Sequence, residues 1–567
     1  MSERTLARSF AGGEITPELF ARLDLSKFQT GLALASNLET LPHGPVRNRA
    51  GFEYVIQCKY NDKEAILLPY DFVSSQSYVL EFGDYYMRVH TLGSTVLETS
   101  HSITGVTQAG TGVLTHDGSY TVTEGQWFYL NTEGMDGLDQ RFVIATNVAG
   151  STFELYDLFG DPINTLTYTA FVSGTLARVY EIETPYAEAD LFDLHYSQDG
   201  LTMTIVHQNY PVYELTRVAS TNWTLTAPSW EPAQEAPTGV AVSATVGPNG
   251  AANAVSYGYT VTAISDDENR EESYAATADY CNNDLSVVGN FNVIHWTDAD
   301  NAARYNVYKY SNGLFGYIGQ ADSGSAGFKD DNITADISQT PPEPYSPFNS
   351  ANYYPGAVGY FEGRRWFAGS KSKPGNLYGT RSGTDTNMAY SMPTRDDDSI
   401  SVRLKSQKLQ TIRHIVALSD MMLLTSGGEW RIVATNSDVV TPTTLGYKPQ
   451  SYVGASNVQP ALAASAILYA QDRGGHIRGL RYSWEQQGYS ADDVSILAPH
   501  LFDYKYRINQ LAFIRQPVPC LWAVRDDGAL LSMTYLPEQE VFAWSQHHTE
   551  GYFESVCAAS ENVTGIE

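Results

Sequence analysis

The chain has 567 residues, more than one hydrophobic core usually supports, so we expect three or four domains. Hydrophobic residues make up 43% of it, and 46 Gly and 38 Tyr without long Leu/Ala/Glu/Lys-rich periodic stretches favour β structure. The net charge of −29 is spread along the chain, and no block of Lys and Arg occurs, which excludes tight binding to the outside of a nucleic acid.

The four cysteines predict neither a zinc site nor a disulfide framework, because they lie far apart and form no CxxC pair. The N-terminus has no apolar signal region, and no run of about 18 apolar residues occurs. We therefore expect synthesis in a cytoplasm without secretion or membrane insertion. The cysteines are Cys58, Cys281, Cys520 and Cys557.

Residues 1–50 predict a short helical arm. Thr16-Pro17-Glu18 is typical of a helix start, with an N-cap followed by Pro at the first helical position. Apolar residues then recur at helical spacing at Leu25, Phe28, Leu32 and Ala35. We expect two short helices, then a turn at 42–45 and the pair Arg47 and Arg49.

From Gly51 onward the dominant unit is a hairpin, with an apolar strand, a polar turn and a second strand. Repeated hairpins suit the sheets of a β-propeller, in which each blade buries its faces against its neighbours. We assign the propeller to three parts, 51–100, 179–233 and 341–567, and expect the N-terminal strands to close it. The predicted hairpins are 78–89, 203–215, 423–433, 468–480 and 521–535.

Two insertions separate these parts. Residues 101–178 are rich in Thr, Gly and Val, as expected of a small β module with a polar surface. Residues 234–340 are bounded by Pro-containing stretches and alternate like strands at 293–296 and 305–308. Asn312-Gly313 is a strong hairpin signal, so we predict a β-sandwich here.

Paired carboxylates are the first catalytic candidates, because a propeller can carry a glycosidase. Asp190 and Asp193 lie close to His195 in sequence, but an acidic turn that caps a strand explains them better. Residues 197–202 are similar to the Asp-box turn of sialidase-like propellers, one residue short and without its closing aromatic. An ordinary Asp-Gly hairpin turn is the better interpretation.

Metal-binding and stacking patterns are equally weak. His547 and His548 are adjacent and point to opposite faces of a strand, and the acidic runs 266–268 and 396–398 lack calcium-loop spacing, so we expect solvated loops. The tyrosine pairs at 85–86 and 353–354 suit stacking platforms, but are more typical of strands or interfaces. No nucleophile elbow or phosphate-binding loop occurs, so we predict no catalytic residue, cofactor or metal ion.

Three spaced motifs carry a family resemblance. They are SFAGGEITP (9–17), ARLDLSKF (21–28) and LPHGPVRNRAG (41–51). In this order they resemble the start of the tail nozzle proteins of podoviruses, short-tailed bacteriophages, also called tail tubular protein B or stabilisation protein. The third motif departs from the family pattern at Ala50, where many relatives have Pro.

The resemblance continues along the chain. Residues 101–178 are similar to a small β module that members of this family carry. The module is named after a catalytic cysteine half-domain of ubiquitin-activating enzymes, but the name describes its fold and implies no catalysis. Residues 184–217 resemble a recurrent stretch of the same phage proteins. Residues 234–340 resemble a fibronectin type III-like insert, with Trp296 and the strand 305–308 as its core signature.

The resemblance implies an all-β, multi-domain protein with a β-propeller core, a helical arm, the small β module and the fibronectin type III-like β-sandwich. It further implies a virion protein, not an enzyme: a six-subunit ring that docks on the tail adaptor, meets tail fibres or distal tail proteins, and passes double-stranded DNA through an acidic lumen. The motif residues expected to serve assembly are Phe10, Gly12, Gly13, Glu14, Pro17, Arg22, Asp24, Pro42, Gly44, Arg47, Arg49 and Gly51.

Two other classes of function stay open from the residues. A receptor-binding or glycan-cleaving tail protein fits a Tyr-rich propeller, although the long repetitive shaft of a trimeric fibre is not visible. A cellular scaffold or binding protein is the other.

Overall fold

The computed structural model describes residues 9–20, 22, 24–73, 76–503 and 505–560. These residues form 42 strands and six short 3-10 helices, and none of them lies in an α-helix. The prediction of an all-β, multi-domain protein is confirmed. Among the described residues, no helix has the length and apolar character needed to cross a bilayer.

Six antiparallel sheets follow one another along the chain. Sheet 1 contains Ile66–Val73, Gln76–Gly83, Tyr86–Thr91, Ser94–Thr95 and Glu181–Glu183. Sheet 2 contains His195–Asp199, Thr202–His207, Tyr210–Ala219 and Asn222–Thr226. Sheet 3 contains Ala357–Phe361, Arg364–Ala368, Asn376–Gly379 and Ile400–Arg403. All five predicted hairpins are confirmed as antiparallel pairs.

The second half of the chain completes the set. Sheet 4 contains Ile412–Ala417, Met421–Thr425, Gly428–Ala434 and Leu445–Ser451. Sheet 5 contains Ala461–Ala463, Ala466–Ala470, Ile477–Ser483 and Gly488–Asp493. Sheet 6 contains Ile508–Ile514, Cys520–Arg525, Leu530–Leu536 and Val541–His547, and the arm adds Gly13–Glu14 and Gly31–Leu32 to its edge.

Each sheet packs against the next through a buried apolar cluster, because both faces of these strands carry apolar side chains. The sixth sheet returns to the first, where Gln510 donates a hydrogen bond of 2.7 Å to the carbonyl of Leu67. The order of contacts is therefore cyclic. The paired cores include Phe82 with Met203, Val206 with Phe367, Trp366 with Leu423, Met422 with Ile467, and Leu468 with Trp544.

The first insertion is a closed six-stranded barrel. It is tied to sheet 1 by Arg88, whose guanidinium lies 4.1 Å from the Trp127 ring centre, and by a 2.7 Å ion pair between Arg178 and Glu98. Its strands are His101–Val106, Val113–His116, Trp127–Glu133, Arg141–Ala149, Thr152–Tyr156 and Ser173–Arg178, with a 3-10 helix at Asp136–Leu138.

The second insertion has a four-stranded and a three-stranded sheet around one core. Asn312 and Gly313 both adopt positive φ and form the predicted hairpin turn. Tyr305 accepts a 2.8 Å hydrogen bond from the Ala299 amide, as the tyrosine corner of immunoglobulin-like sandwiches does. The sheets are Val255–Ser265, Asp279–Asn283, Ala302–Ser311 and Leu314–Asp322, and Thr238–Thr245, Phe291–Thr297 and Phe328–Asp330.

The arm is more extended than predicted. The two short helices are 3-10 helices, Pro17–Leu19 and Ser26–Thr30, and the Thr16 side chain makes no capping hydrogen bond. Leu32 and Ala35 continue no helix, because Gly31–Leu32 pairs with Gly13–Glu14 and both strands add to sheet 6. Leu38–Thr40 and Val46–Asn48 form a small hairpin. The remaining 3-10 helices are Glu188–Asp193, Pro499–Phe502 and Pro537–Gln539.

Candidate functional site

The described part of residues 10–49, here called the N-terminal clasp, packs on sheet 6 through Gly13 and Glu14 of the first motif. Gly13 pairs in parallel with both Gly31 and Trp544. Its φ is 62°, and a Cβ built there would lie 2.5 Å from the Trp544 nitrogen. Gly12 is equally confined, since its Cβ would lie 2.9 Å from the Thr30 carbonyl oxygen. Both positions therefore require glycine for the arm to reach the sheet.

Glu14 is the buried anchor of the clasp, with 2% of its surface exposed. Its carboxylate accepts hydrogen bonds from the Ala35 amide at 2.8 Å, His500 Nε2 at 2.9 Å and Gln546 Nε2 at 3.0 Å. Burial raises the pKa of Glu14, but the hydrogen bonds from His500, Ala35 and Gln546 outweigh it and hold the pKa below its ordinary value.

Among the other uncharged motif residues, Gly44 is buried, Phe10 and Pro42 are half-buried, and Pro17 is exposed. The Phe10 amide donates to the Gly44 carbonyl at 2.7 Å, which joins the first and third motifs. Pro42 and Gly44 belong to the turn between the strands of the small hairpin, and Gly44 has a φ of 99°. Pro17 begins the first 3-10 helix, which follows a 2.9 Å bond from the Thr16 amide to Leu497.

The charged motif residues lie nearer the surface. Arg22 and Asp24 form an exposed 2.8 Å ion pair, and Arg47 pairs with Glu39 at 2.8 Å. Gly51 is exposed with open space around its Cα. Residues 21 and 23 of the second motif lie outside the described residues. The role of the motif in assembly between copies stays a prediction.

A second closure lies where sheet 6 meets sheet 1. The C-terminal segment 553–560 runs between them, and the Leu67 amide donates to Ser555 Oγ at 2.8 Å. Gln510 Oε1 accepts hydrogen bonds from the Ser555 hydroxyl and from the Val556 amide, the latter at 2.9 Å. Burial raises the pKa of the Cys557 thiol to about 12. The sequence signalled no role for Gln510, since its partners are 45 and 443 residues away.

The predicted acid cluster at 190–195 has structural partners. Asp190 accepts hydrogen bonds from the Tyr210 hydroxyl at 2.7 Å and from Asn209 Nδ2 at 2.9 Å. Asp193 accepts one from Asn457 Nδ2 at 2.5 Å. Both carboxylates therefore hold neighbouring segments through side-chain hydrogen bonds.

His195 lies at the centre of the six sheets. Its Nε2 is 2.6 Å from the Asn457 carbonyl oxygen, and its Nδ1 contacts the Gly356 carbonyl oxygen. Carbonyl oxygens only accept, so both contacts are hydrogen bonds only when both ring nitrogens carry a hydrogen. Gln459 Nε2 also donates to the Tyr196 carbonyl at 3.1 Å. These contacts join sheet 2 to the segment before sheet 5, on the opposite side of the cycle.

A polar depression opens beside these cross-axis contacts. It consists of two adjoining cavities of ≈ 390 and ≈ 540 Å³ that share Asp193, Arg413 and Asn457. Arg413 forms an ion pair with Asp472. Burial lowers the pKa of His207 on its wall, and the pKa of the neighbouring His414 lies well below its ordinary value for the same reason. No motif in the sequence pointed to this depression.

The remaining candidates have local structural roles. Gly200 forms a hairpin turn between two strands of sheet 2, as the ordinary-turn interpretation predicts. His547 is buried against Ser532, whereas His548 is exposed. In the described part of the chain, no group of three or more His, Cys, Asp or Glu side chains is placed to hold a metal ion.

One expectation about exposure is wrong. Residues 396–398 are not simply a solvated loop, because Asp398 is fully buried and accepts bonds from the Ser391 and Arg395 amides at 2.9 and 2.8 Å. Tyr85 is exposed but Tyr86 is buried, where its hydroxyl donates to Glu81 at 2.6 Å. The pair at 85–86 therefore forms no common stacking platform. Tyr85 lies in the hairpin turn with a φ of 61°, whereas Tyr86 begins the next strand, so the two rings point to different surroundings.

Comparisons with known proteins add little. No family model matches the chain, and no curated protein matches it. One solved structure, a crystal structure of a protein from Lactobacillus plantarum, is 8% identical over 76% of this chain and 95% of that one, with a TM-score of 0.22. A TM-score this low carries no argument about fold or function.

Proposed function

We propose that this chain is a structural protein of a short-tailed bacteriophage virion, the tail nozzle, and not an enzyme. In this proposal six copies form a ring below the tail adaptor, meet fibres or distal tail proteins, and conduct double-stranded DNA during ejection. The six cyclic sheets are a six-bladed β-propeller in each copy, and the second insertion is its fibronectin type III-like module.

The observation that carries this proposal is that the first two motifs, and the strand that precedes the third, contact sheet 6 or its edge. Gly13 and Glu14 of the first motif contact Trp544 and Gln546. Lys27 of the second donates to the Glu540 carbonyl at 2.9 Å. The Thr40 carbonyl beside the third motif accepts from Thr534 at 2.5 Å. Some of the residues that carry the resemblance therefore close the fold, and this shared role of Gly13 and Glu14 supports the proposal, whereas Arg22, Asp24 and Gly51 lie at the surface.

The proposal places the DNA path between copies rather than through one copy. The centre of a single chain is crossed by His195 with Asn457 and by Gln459 with Tyr196, so a duplex has no route there. A ring of copies supplies a separate lumen. Because the chain carries −29 net charges, an acidic lumen would repel phosphates and leave few sites that retain DNA.

Electron microscopy and mass spectrometry of the phage particle that encodes this chain test the proposal. We expect six copies of the chain in a ring on the tail axis, with acidic side chains toward the DNA. Particles without the chain, or a chain in trimeric fibres away from the axis, would contradict the proposal. Cleavage of purified host surface glycan by the chain would favour the receptor-binding or glycan-cleaving class instead.

A further inference from the structure

A lysine and an aspartate meet in the core of the second insertion. Only 8% of the Lys309 side chain is exposed, and its Nζ lies 2.8 Å from Oδ2 of Asp330, whose side chain is fully buried. Lys309 belongs to the strand Ala302–Ser311 of the four-stranded sheet and Asp330 to Phe328–Asp330 of the three-stranded sheet. The pair therefore connects the two sheets. An ion pair is a costly connection at this depth, because both charges lose their hydration.

Two further buried residues complete this polar group. Tyr259 lies opposite Lys309 on the neighbouring strand, and Asn292 lies opposite Asp330. The Tyr259 hydroxyl donates to Asp330 Oδ2 at 2.6 Å and accepts a hydrogen bond from Asn292 Nδ2 at 2.8 Å. Burial and the hydrogen bond to Asp330 raise the pKa of Tyr259, so the hydroxyl keeps the proton that it donates.

The other oxygen of the Asp330 carboxylate lies against backbone amides. Oδ1 accepts hydrogen bonds from the Asn332 amide at 3.0 Å and from the Ile333 amide at 2.7 Å. The Ile333 carbonyl in turn accepts a hydrogen bond from Lys309 Nζ at 3.1 Å. Two N–H groups aimed at one oxygen stabilise the negative charge that develops there when a nucleophile attacks the carboxyl carbon. A nucleophile, an acid and oxyanion donors therefore surround this carboxyl group.

We propose that Lys309 and Asp330 join in an intramolecular amide bond after the second insertion has folded. Nζ passes one proton to Oδ2, and the neutral amine attacks Cγ while the two amides hold the negative charge on Oδ1. The Tyr259 hydroxyl then gives its proton to Oδ2 and takes one from the nitrogen, the Cγ–Oδ2 bond breaks, and Oδ2 leaves as water. One ammonium and one carboxylate yield one amide and one water, so the reaction needs no oxidant or further reactant.

The amide bond holds the two sheets of the second insertion together covalently. All four cysteines are free thiols, so no disulfide has this role. The bond closes the chain between residues 309 and 330, which restricts the unfolded chain as a disulfide does. It also replaces two buried charges with a neutral group whose N–H faces the Ile333 carbonyl. The inference concerns this insertion alone and does not rest on the proposed function.

Mass spectrometry of the purified and denatured full chain tests the inference. We expect a chain lighter than its sequence by one water molecule, and a tryptic digest that contains a branched peptide joining Lys309 to Asp330. The ion pair of Lys63 with Asp84 is the internal control, because its side chains are 34% and 15% exposed, and it should give unlinked peptides. A chain of full mass that trypsin cleaves after Lys309 would overturn the inference and leave an ion pair.

The variant Tyr259→Phe tests the proposed acid, because it removes the hydroxyl and keeps the ring in the core. We expect the branched peptide to form several-fold more slowly than in the wild type. Tyr257→Phe is the matched control, since Tyr257 lies two residues away on the same strand and its ring is 4.9 Å from Lys309 Nζ. It should link at the wild-type rate. Equal rates in the two variants would overturn the role of Tyr259, and the wild-type mass decides the amide bond even if a variant fails to fold.

Discussion

Replacing Gly13 by Ala should release the N-terminal clasp. The residue has a φ of 62°, and an L side chain in this left-handed region costs about 1 kcal/mol. The added Cβ would lie 2.5 Å from the Trp544 nitrogen and 2.7 Å from the Ala543 Cα, which are backbone atoms that cannot rotate away. Overpacking of this kind costs about 1–3 kcal/mol, so we expect a total of about 3 kcal/mol.

Gly200→Ala is the matched control, because it separates the two contributions. Gly200 also has a positive φ, 55°, but a Cβ added there would have no other atom within 4 Å. It should lose only the conformational part, about 1 kcal/mol. The difference between the variants, about 2 kcal/mol, then measures the contact with sheet 6.

Hydrogen exchange of the intact chain is the suitable assay, since a multi-domain protein need not unfold in one step. The Ile15 amide donates to Leu32, and the Ala35 amide donates to Glu14, so both report the clasp. We expect both amides to lose protection in Gly13→Ala and to keep it in Gly200→Ala. Equal loss in the two variants, or unchanged protection in Gly13→Ala, would refute the steric argument.

Three further changes probe the other closures. Glu14 has a lowered pKa, so the stability it contributes is present above about pH 4.3 and is lost as the pH falls through the pKa of the folded state. Glu14→Gln should therefore make the melting temperature depend less on pH in this acidic range. An unchanged dependence would contradict this. Gln510→Ala removes three hydrogen bonds between sheets 6 and 1, about 2–3 kcal/mol, and should speed alkylation of the half-buried Cys557 thiol. An alkylation rate equal to that of the wild type would show that the contact between these sheets does not depend on Gln510. Arg395→Met removes the 3.2 Å ion pair to buried Glu272 between sheet 3 and the second insertion. The free energy of opening at that junction, measured by hydrogen exchange, should therefore fall by about 2 kcal/mol, while that of the barrel should not change.

Local patterns in the sequence predicted the local structure. Apolar runs on both sides of a polar turn located all five hairpins, because turn chemistry acts over only a few residues. Asn312-Gly313 was predicted for the same reason, since few other pairs tolerate two positive φ values. The helix predicted from the apolar spacing at 25–35 does not extend beyond residue 30, because Gly31–Leu32 pairs with the first strand and this pairing overrides a weak helix propensity.

Contacts between distant residues could not be predicted in the same way. The Gly13 pairing with Trp544 and the Gln510 bond to Leu67 join opposite ends of the chain, and no short motif encodes such partners. The N-terminal motif marked the right residues for the clasp without revealing what they contact. The burial of Asp398 was not predicted because three adjacent acidic residues suggest an exposed loop. Hydrogen bonds from two backbone amides satisfy its carboxylate and allow it to be buried.

The closed centre of the chain changes how its charge bears on the proposed function. Fixed charges act on DNA only within about one Debye length, roughly 8 Å at physiological salt, so the net charge matters less than the identity of the face that lines the lumen. Residues 1–50 carry nearly balanced charge, with six Lys and Arg against five Asp and Glu, so they repel phosphates less than the acidic remainder of the chain does. In the proposed ring we therefore expect the acidic remainder of the chain, rather than the N-terminal arm, to face the conduit.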